Sequence, residues 1–343
     1  MGTRRRRVSV IYFISKLVKW DDLRMQIISD PTQDQIKKAA QALKDGHLVA
    51  FPTETVYGLG ADAINENAVS RVYSVKARPT DHPLIVHISS INQLDKWAID
   101  IPGYAKKLAE EFWPGPMTLI LKRSKSAGNF ITGEQNSIAV RVPAHSIALS
   151  LLSEFEKLGG LGVVAPSANR FGSVSPTTGS DVEQELGNKL GNSDILLNAG
   201  NCLIGIESTI VNCVSSRPVI LRPGAVTIEQ INEILRLKIS INRQSKNIKT
   251  SGMHSFHYSP IAKVVSNRNP VPGEGFLAMN NVVTPDGVIR LGAPNSVTEF
   301  ARILYASFRL ADKKNLKTIV VQYPLGPGLS IAIEDRIRRA SGN

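Results

Sequence analysis

Cysteine is nearly missing from this chain: Cys202 and Cys213 are the two among 343 residues, with neither CxxC nor metal-ligand spacing. A disulfide framework and a four-cysteine zinc finger are therefore excluded. The usage fits a reducing cytoplasm, with both thiols as small buried residues. Aromatics are also sparse, at 6%, too few for the stacked-ring platforms on which single-stranded nucleic acids are held. No apolar run reaches the roughly 18–20 residues a membrane helix needs. There is no GxxxxGK[ST] loop, so a P-loop nucleotidase is excluded. No acidic cluster is visible either, which argues against a carboxylate cage for a divalent metal.

What is present is an ordinary soluble composition, 42% hydrophobic and 20% charged, in a chain long enough for two domains. The net charge of +12 is uneven: residues 1–24 hold seven Lys/Arg and two Asp, leaving 34 basic and 27 acidic residues. The excess favours polyanions such as nucleotides or RNA. Arg4 to Arg7 followed by the apolar 8–14 stretch imitates a signal peptide, but Lys16 and Lys19 interrupt it and no small-residue cleavage site follows. An upstream start or a basic extension over 1–26 is the preferred reading.

Thr32-x-x-Gln35 is a capping box, and Ile36, Ala39, Ala40 and Leu43 follow at helical spacing up to Gly46. The helix feeds a short apolar strand at 47–51, which breaks off into Pro52-Thr53-Glu54-Thr55-Val56-Tyr57-Gly58-Leu59-Gly60. Open α/β sheets place ligands in loops of this kind, beyond the carboxyl ends of strands. A second helix is predicted from an Asn65 cap to Lys76, ended by Pro79, with Lys76 and Arg78 exposed at its exit and facing a cleft. Further strands are expected near 84–88, 117–122, 138–142, 162–166, 194–197, 208–214 and 219–222, with helices near 102–112, 145–157, 180–187 and 227–236. That alternation predicts an α/β domain on a twisted mixed sheet over about 27–230. A polar stretch within 231–260 reads as a linker. Its end, His254-Ser255-Phe256-His257-Tyr258-Ser259-Pro260, carries aromatics that linkers seldom hold, and is expected to fold over the site as a lid. Strands near 262–265, 287–290 and 318–321 and a helix at 296–310 predict a small α/β domain over 261–343.

The blocks FPTETVYGLG (51–60), KARPTDHPL (76–84), WPGPMTLIL (113–121), SIAVRVP (137–143), APSAN (165–169), SPT (175–177), ESTIV (207–211), LRPG (221–224) and SGMHSFHYSP (251–260) together resemble the threonylcarbamoyl-AMP synthase family. The resemblance is to the YrdC-type enzymes in their long form, with an extra C-terminal domain that it implies is Rossmann-like. The C-terminal match is looser, and Gln322 stands where an acid is expected.

The resemblance implies synthesis of threonylcarbamoyl-AMP and pyrophosphate from L-threonine, bicarbonate and ATP, for threonylcarbamoyladenosine at position 37 of tRNA. A downstream tRNA threonylcarbamoyltransferase would be the partner. It places ATP against Lys76, Arg78, His82, Ser137, Ser167, Ser175, Arg222 and Tyr258, with Lys76 and Arg78 as the catalytic cations. Threonine falls against Thr55, His87, Arg141, the backbone of Ala165, and Ser208. The family usually has Asn where His82 stands. Mg2+ is expected to ride on the ATP phosphates without a dedicated protein site. These residue types suit such chemistry. A triphosphate of ~4 negative charges needs cations and oriented donors, and Arg grips phosphate or carboxylate bidentately.

Simpler readings exist for two of these residues. Arg141, inside an apolar strand, could be a structural ion pair to Glu54 or Glu207, and His87 a satisfied core histidine. Two other functions compete. One is an RNA-binding module without catalysis, holding tRNA or double-stranded RNA by shape and charge. The other is the similar domain of hydrogenase-maturation proteins, which needs a zinc finger that two cysteines cannot build.

Overall fold

The computed structural model describes residues 24–242 and 258–342. The basic extension before Arg24 and the greater part of the lid segment, with His254, Phe256 and His257, lie outside the described residues.

The first unit runs β1 (Gln26–Ser29), α1 (Gln33–Lys44), β2 (Val49–Phe51), β3 (Gly58–Asp62), α2 (Glu66–Lys76), β4 (Ile85–His87), α3 (Gly103–Phe112), β5 (Met117–Lys122) and β6 (Ser137–Arg141). It continues through α4 (Ser146–Lys157), β7 (Val163–Val164), α5 (Gly179–Leu186), β8 (Ile195–Asn198), β9 (Thr209–Asn212), β10 (Val219–Arg222), α6 (Ile228–Leu235) and β11 (Ser240–Ile241). Its 11 strands form one sheet in the order β1-β8-β2-β3-β7-β4-β6-β5-β9-β10-β11. Parallel pairs such as β4 with β6 alternate with antiparallel ones such as β5 with β6, so the sheet is mixed. The Thr32 capping box forms as its sequence predicts, and the apolar stripe of α1 is buried from Ile36 to Leu43.

The second unit runs β12 (Lys263–Ser266), β13 (Gly275–Ala278), β14 (Ile289–Gly292), α7 (Val297–Lys313), β15 (Thr318–Gln322) and α8 (Leu329–Ala340). Its four strands, ordered β12-β15-β13-β14, all pair in parallel. No helix among the described residues is long and apolar enough to cross a membrane.

The structure departs from the sequence reading in three places. Gly58 to Gly60, read as a ligand loop, begins a central strand. A Cβ on Gly60 would lie 2.8 Å from the Phe51 ring and 2.9 Å from the Val49 carbonyl, so this glycine lets β2 and β3 approach. The helix expected near 227–236 forms as α6, but residues 240–241, read as linker, add β11 beside β10. In the second unit, β13 and α8 went unpredicted. Helix α8 hides its pattern because Asp335, Arg336 and Arg339 are on its buried side.

The units share a core. Val56, Val174 and Ile206 of the first pack in one apolar cluster with Phe300, Leu304, Tyr305 and Phe308 of α7, and with Tyr258. Burying each such aromatic or aliphatic side chain contributes about 1.5–3 kcal/mol, so the second unit is fixed against the loops that follow β2 and precede β9.

Candidate active site

Strands β4 and β6 run parallel and in register, and His87 lies opposite Arg141. Each is the last residue of its strand, so the sheet delivers both to one edge. The Arg141 guanidinium donates to Glu54 Oε1 at 2.6 Å, to the Thr55 hydroxyl at 3.1 Å and to the Gly115 carbonyl at 3.2 Å. The other Glu54 oxygen accepts from the Ala144 amide at 2.9 Å. Of the two structural partners considered for Arg141, Glu54 is the one found. The pairing anchors the arginine without removing it from the cleft, because Arg141 still lines the cavity.

His87 is buried, edge-on to Phe51. Burial, helped by the Arg141 charge, pushes its pKa down to about 3, so the imidazole is neutral at physiological pH. Its Nδ1 has no hydrogen-bond partner among the described residues. An unpartnered buried polar atom costs about 1–3 kcal/mol, which favours a ligand contact over a satisfied core histidine.

Another stretch of the wall is built from β9 and β10. A register shift between Ile220 and Arg222 bulges β10 and re-aims the arginine, the usual effect of a bulge. Arg222 donates to the Ser208 carbonyl and hydroxyl, each at 3.1 Å, and lies 3.5 Å from the Tyr258 hydroxyl. The Ser208 hydroxyl also meets Thr118 Oγ1 at 2.8 Å. Gly224 explains the end of the LRPG block: a Cβ there would sit 2.4 Å from the Thr209 amide. Tyr258 is buried in a left-handed conformation, φ 65°, which bulky residues adopt only when held. Tyr305 stacks on its ring at 5.7 Å, and the Arg336 guanidinium lies 5.2 Å from the ring centre.

Nine of the thirteen site residues read from sequence line a single cavity of about 50 Å³: Thr55, His87, Arg141, Ala165, Ser208, Arg78, Ser167, Arg222 and Tyr258. Lys76, His82, Ser137 and Ser175 are not in its wall. Lys76 and Arg78 are not exposed as expected; they are 2% and 7% accessible. The left-handed Ala77 turns the chain inward at the helix end, and Lys76 Nζ donates to the carbonyls of Ser167 and Asn169. Burial and the Arg78 charge pull the Lys76 ammonium well below the ordinary lysine value. The lysine thus shapes the 165–169 loop from behind. Arg78 reaches the cavity, donates to the Pro83 carbonyl at 2.9 Å and packs on the Phe171 ring.

His82 packs edge-on against the same ring. Ser137 begins β6, four residues before Arg141 and so at the strand end away from the cleft. Ser175 donates to Glu207 Oε1 at 2.6 Å. The sequence reading missed Val56, Ile85, Pro166 and Glu207 as lining residues. The ESTIV block contained Glu207, but only as a candidate partner for Arg141. Its actual partner, Arg336, lies 129 positions away in the weakly matching C-terminal stretch.

Cations, hydroxyls and a neutral histidine converge at strand ends in a mixed α/β sheet. That arrangement defines an enzyme site for a small anionic substrate. Similarity to known proteins makes this specific. Residues 41–224 match the family model described as "Telomere recombination", and residues 226–342 match that of the threonylcarbamoyl-AMP synthase C-terminal domain. The threonylcarbamoyl-AMP synthase of Pyrococcus abyssi is 37% identical over 90% of this chain and 94% of its own length. That of Bacillus subtilis is 35% identical over 90% and 93%. A crystal structure of P. abyssi Sua5 complexed with L-threonine superposes with a TM-score of 0.84, at 36% identity over 93% of this chain and 97% of that one. The chain belongs to the threonylcarbamoyl-AMP synthase family, in its two-domain form.

Proposed function

We propose that the chain is an L-threonylcarbamoyladenylate synthase that converts L-threonine, bicarbonate and ATP into threonylcarbamoyl-AMP and pyrophosphate. The observation that carries this reading is one cavity lined by two differently equipped sets of groups: Arg141, Thr55, His87 and Ser208 on the one hand, and Arg222, Tyr258, Arg78 and Ser167 on the other.

In this proposal Arg141 takes the threonine carboxylate, held in place by Glu54. Thr55, Ser208 and the Ala165 backbone fix the rest of the amino acid. His87, being neutral, orients a hydroxyl or amine without repelling it. Bicarbonate takes up a proton and loses water to give CO2, the neutral amine nitrogen attacks its carbon as one C–O π pair moves to oxygen, and the amine proton leaves to water, forming the carbamate. A carbamate oxygen then attacks the α-phosphorus, the α–β anhydride bond breaks, and pyrophosphate leaves with the electron pair. Arg78 and Arg222 stabilise charge developing on the phosphates, and Ser167 and Tyr258 add uncharged donors. Lys76 contributes by holding the Ser167 loop, so catalysis is mostly positioning and electrostatics.

Magnesium would enter as part of the nucleotide, since Glu54 and Glu207, the acids at the cavity, are each engaged by an arginine. The product would pass to a tRNA-modifying transferase. Detection of threonylcarbamoyl-AMP by mass spectrometry, carrying label from bicarbonate, tests the proposal. ATP turnover without that product would overturn it.

A further inference from the structure

Glu207 is an acid in the wall of a site that has to accept an anion. Its carboxylate accepts from Arg336 Nε at 2.7 Å, from the Tyr305 hydroxyl at 2.9 Å and from the Ser175 hydroxyl at 2.6 Å. Two of these three partners come from the second unit. Arg336 is completely buried and also donates to the Pro223 carbonyl at 3.0 Å and to Asp335 at 2.8 Å. Asp335 in turn accepts from Arg339 at 2.9 Å. The charges alternate from the cavity wall into α8, ending on the cationic turn of that helix.

We propose that Arg336 is a positioning residue for the nucleotide site, supplied by the second unit, whose charge cancels that of Glu207 in the cavity wall. This rests on the nucleotide reading of the cavity. Without Arg336, the Glu207 carboxylate in the cavity wall loses the guanidinium that holds it at 2.7 Å. Its charge would then repel an anionic ligand. At an effective dielectric near 20, one unit charge several ångströms away changes an anion's affinity by roughly 10–100-fold. Through Pro223 and Tyr258, which flank Arg222 and touch the same guanidinium, Arg336 also fixes where the wall stands. The second unit therefore completes the electrostatics of the first.

Calorimetric titration of ATP, AMP and adenosine into the full chain tests this. Arg336→Met should weaken ATP by roughly 10–100-fold, AMP less, and adenosine by less than about threefold, because the loss follows ligand charge. Arg336→Lys, which keeps the charge, should lose far less for ATP than Arg336→Met. In a Glu207→Gln background, Arg336→Met should cost ATP less than about threefold, since the cavity wall no longer holds a carboxylate to be cancelled and Asp335 keeps Arg339. Equal losses for all three ligands, or an undiminished loss in the Glu207→Gln background, would overturn the proposal. Should Arg336→Met alone fail to fold, the double variant compared with Glu207→Gln carries the same test: a further large loss of ATP affinity overturns it, and near-equality supports it. Wild-type protein that binds no ATP would overturn the nucleotide reading itself, a result separable from the other outcomes.

Discussion

Two buried arginine–glutamate pairs each place one member in the wall of the cavity, and they are built differently. Arg141 and Glu54 meet at 2.6 Å within the first unit, both close to the sheet that carries them. Arg336 and Glu207 meet at 2.7 Å across the junction of two units. In the first pair the arginine faces the cavity and the acid holds it. In the second the acid faces the cavity and the arginine stands behind it. An arginine in the wall attracts an anion directly, whereas a glutamate in the wall is tolerable there only while its charge is cancelled. In the proposed reading, the Arg141 contact to the threonine carboxylate is thus self-contained, and the phosphate side depends on the C-terminal unit.

The largest effect is expected where the self-contained pair is cut. Arg141→Met leaves Glu54 buried and uncompensated, which typically costs about 3–5 kcal/mol of stability. It should also lower threonine-dependent turnover by roughly 10²–10³-fold. Urea denaturation alongside kinetics would show this, and near-normal values of both would mean that neither Glu54 nor the substrate relies on this arginine.

Lys76→Ala should act through the loop rather than through direct contact. Two carbonyls lose a donor, at about 1–3 kcal/mol for each group left unsatisfied, and amide exchange at Ala168 and Asn169 should quicken. Activity lost with exchange unchanged would instead make Lys76 a phosphate ligand. On the phosphate side, Arg222→Lys keeps charge but loses the planar fork, and a roughly tenfold weaker ATP affinity is expected by titration. Wild-type affinity would show that charge alone suffices there. Gly224→Ala forces Cβ onto the Thr209 amide and should cost about 1–3 kcal/mol, in the range for overpacking. A thermal melt unchanged from wild type would contradict the close approach.

The most gradual effect is a pH dependence. The unfolded chain takes up a proton on His87 near its ordinary pKa of 6.5, whereas the folded site resists until about 3. Between those values the unfolded state binds more protons, so stability is present above 6.5 and is lost as pH falls. His87→Gln should flatten the stability–pH curve between pH 6 and 4, by up to about 1.4 kcal/mol per pH unit. An unaltered slope would mean that the histidine is already protonated or solvated.

Much of the first unit was legible because its elements obey local rules. The Thr32 cap, the stripe on α1 and the apolar strands at 85–87 and 138–141 need no tertiary information. The motif blocks then placed nine site residues in one cavity. What could not be read depended on contacts between distant segments. Lys76 looked exposed because a lysine at a helix end usually is; only the folded chain shows the Ser167 and Asn169 carbonyls awaiting it. Gly60 signalled a loop because glycine usually does, yet here it admits the Phe51 ring into a sheet. Helix α8 resisted detection since its buried face is charged, and no periodicity of apolar residues marks a stripe made of Asp335, Arg336 and Arg339. Glu207 and Arg336 are unreadable as a pair for the same reason.

Pyrophosphate release by the purified full chain, with L-threonine, bicarbonate and ATP each left out in turn, tests the doubly equipped site most directly. Release is expected only when all three are present, with omission of threonine as damaging as omission of ATP. Equal release without threonine would reduce the site to that of a plain nucleotidase and contradict a set of groups dedicated to the amino acid.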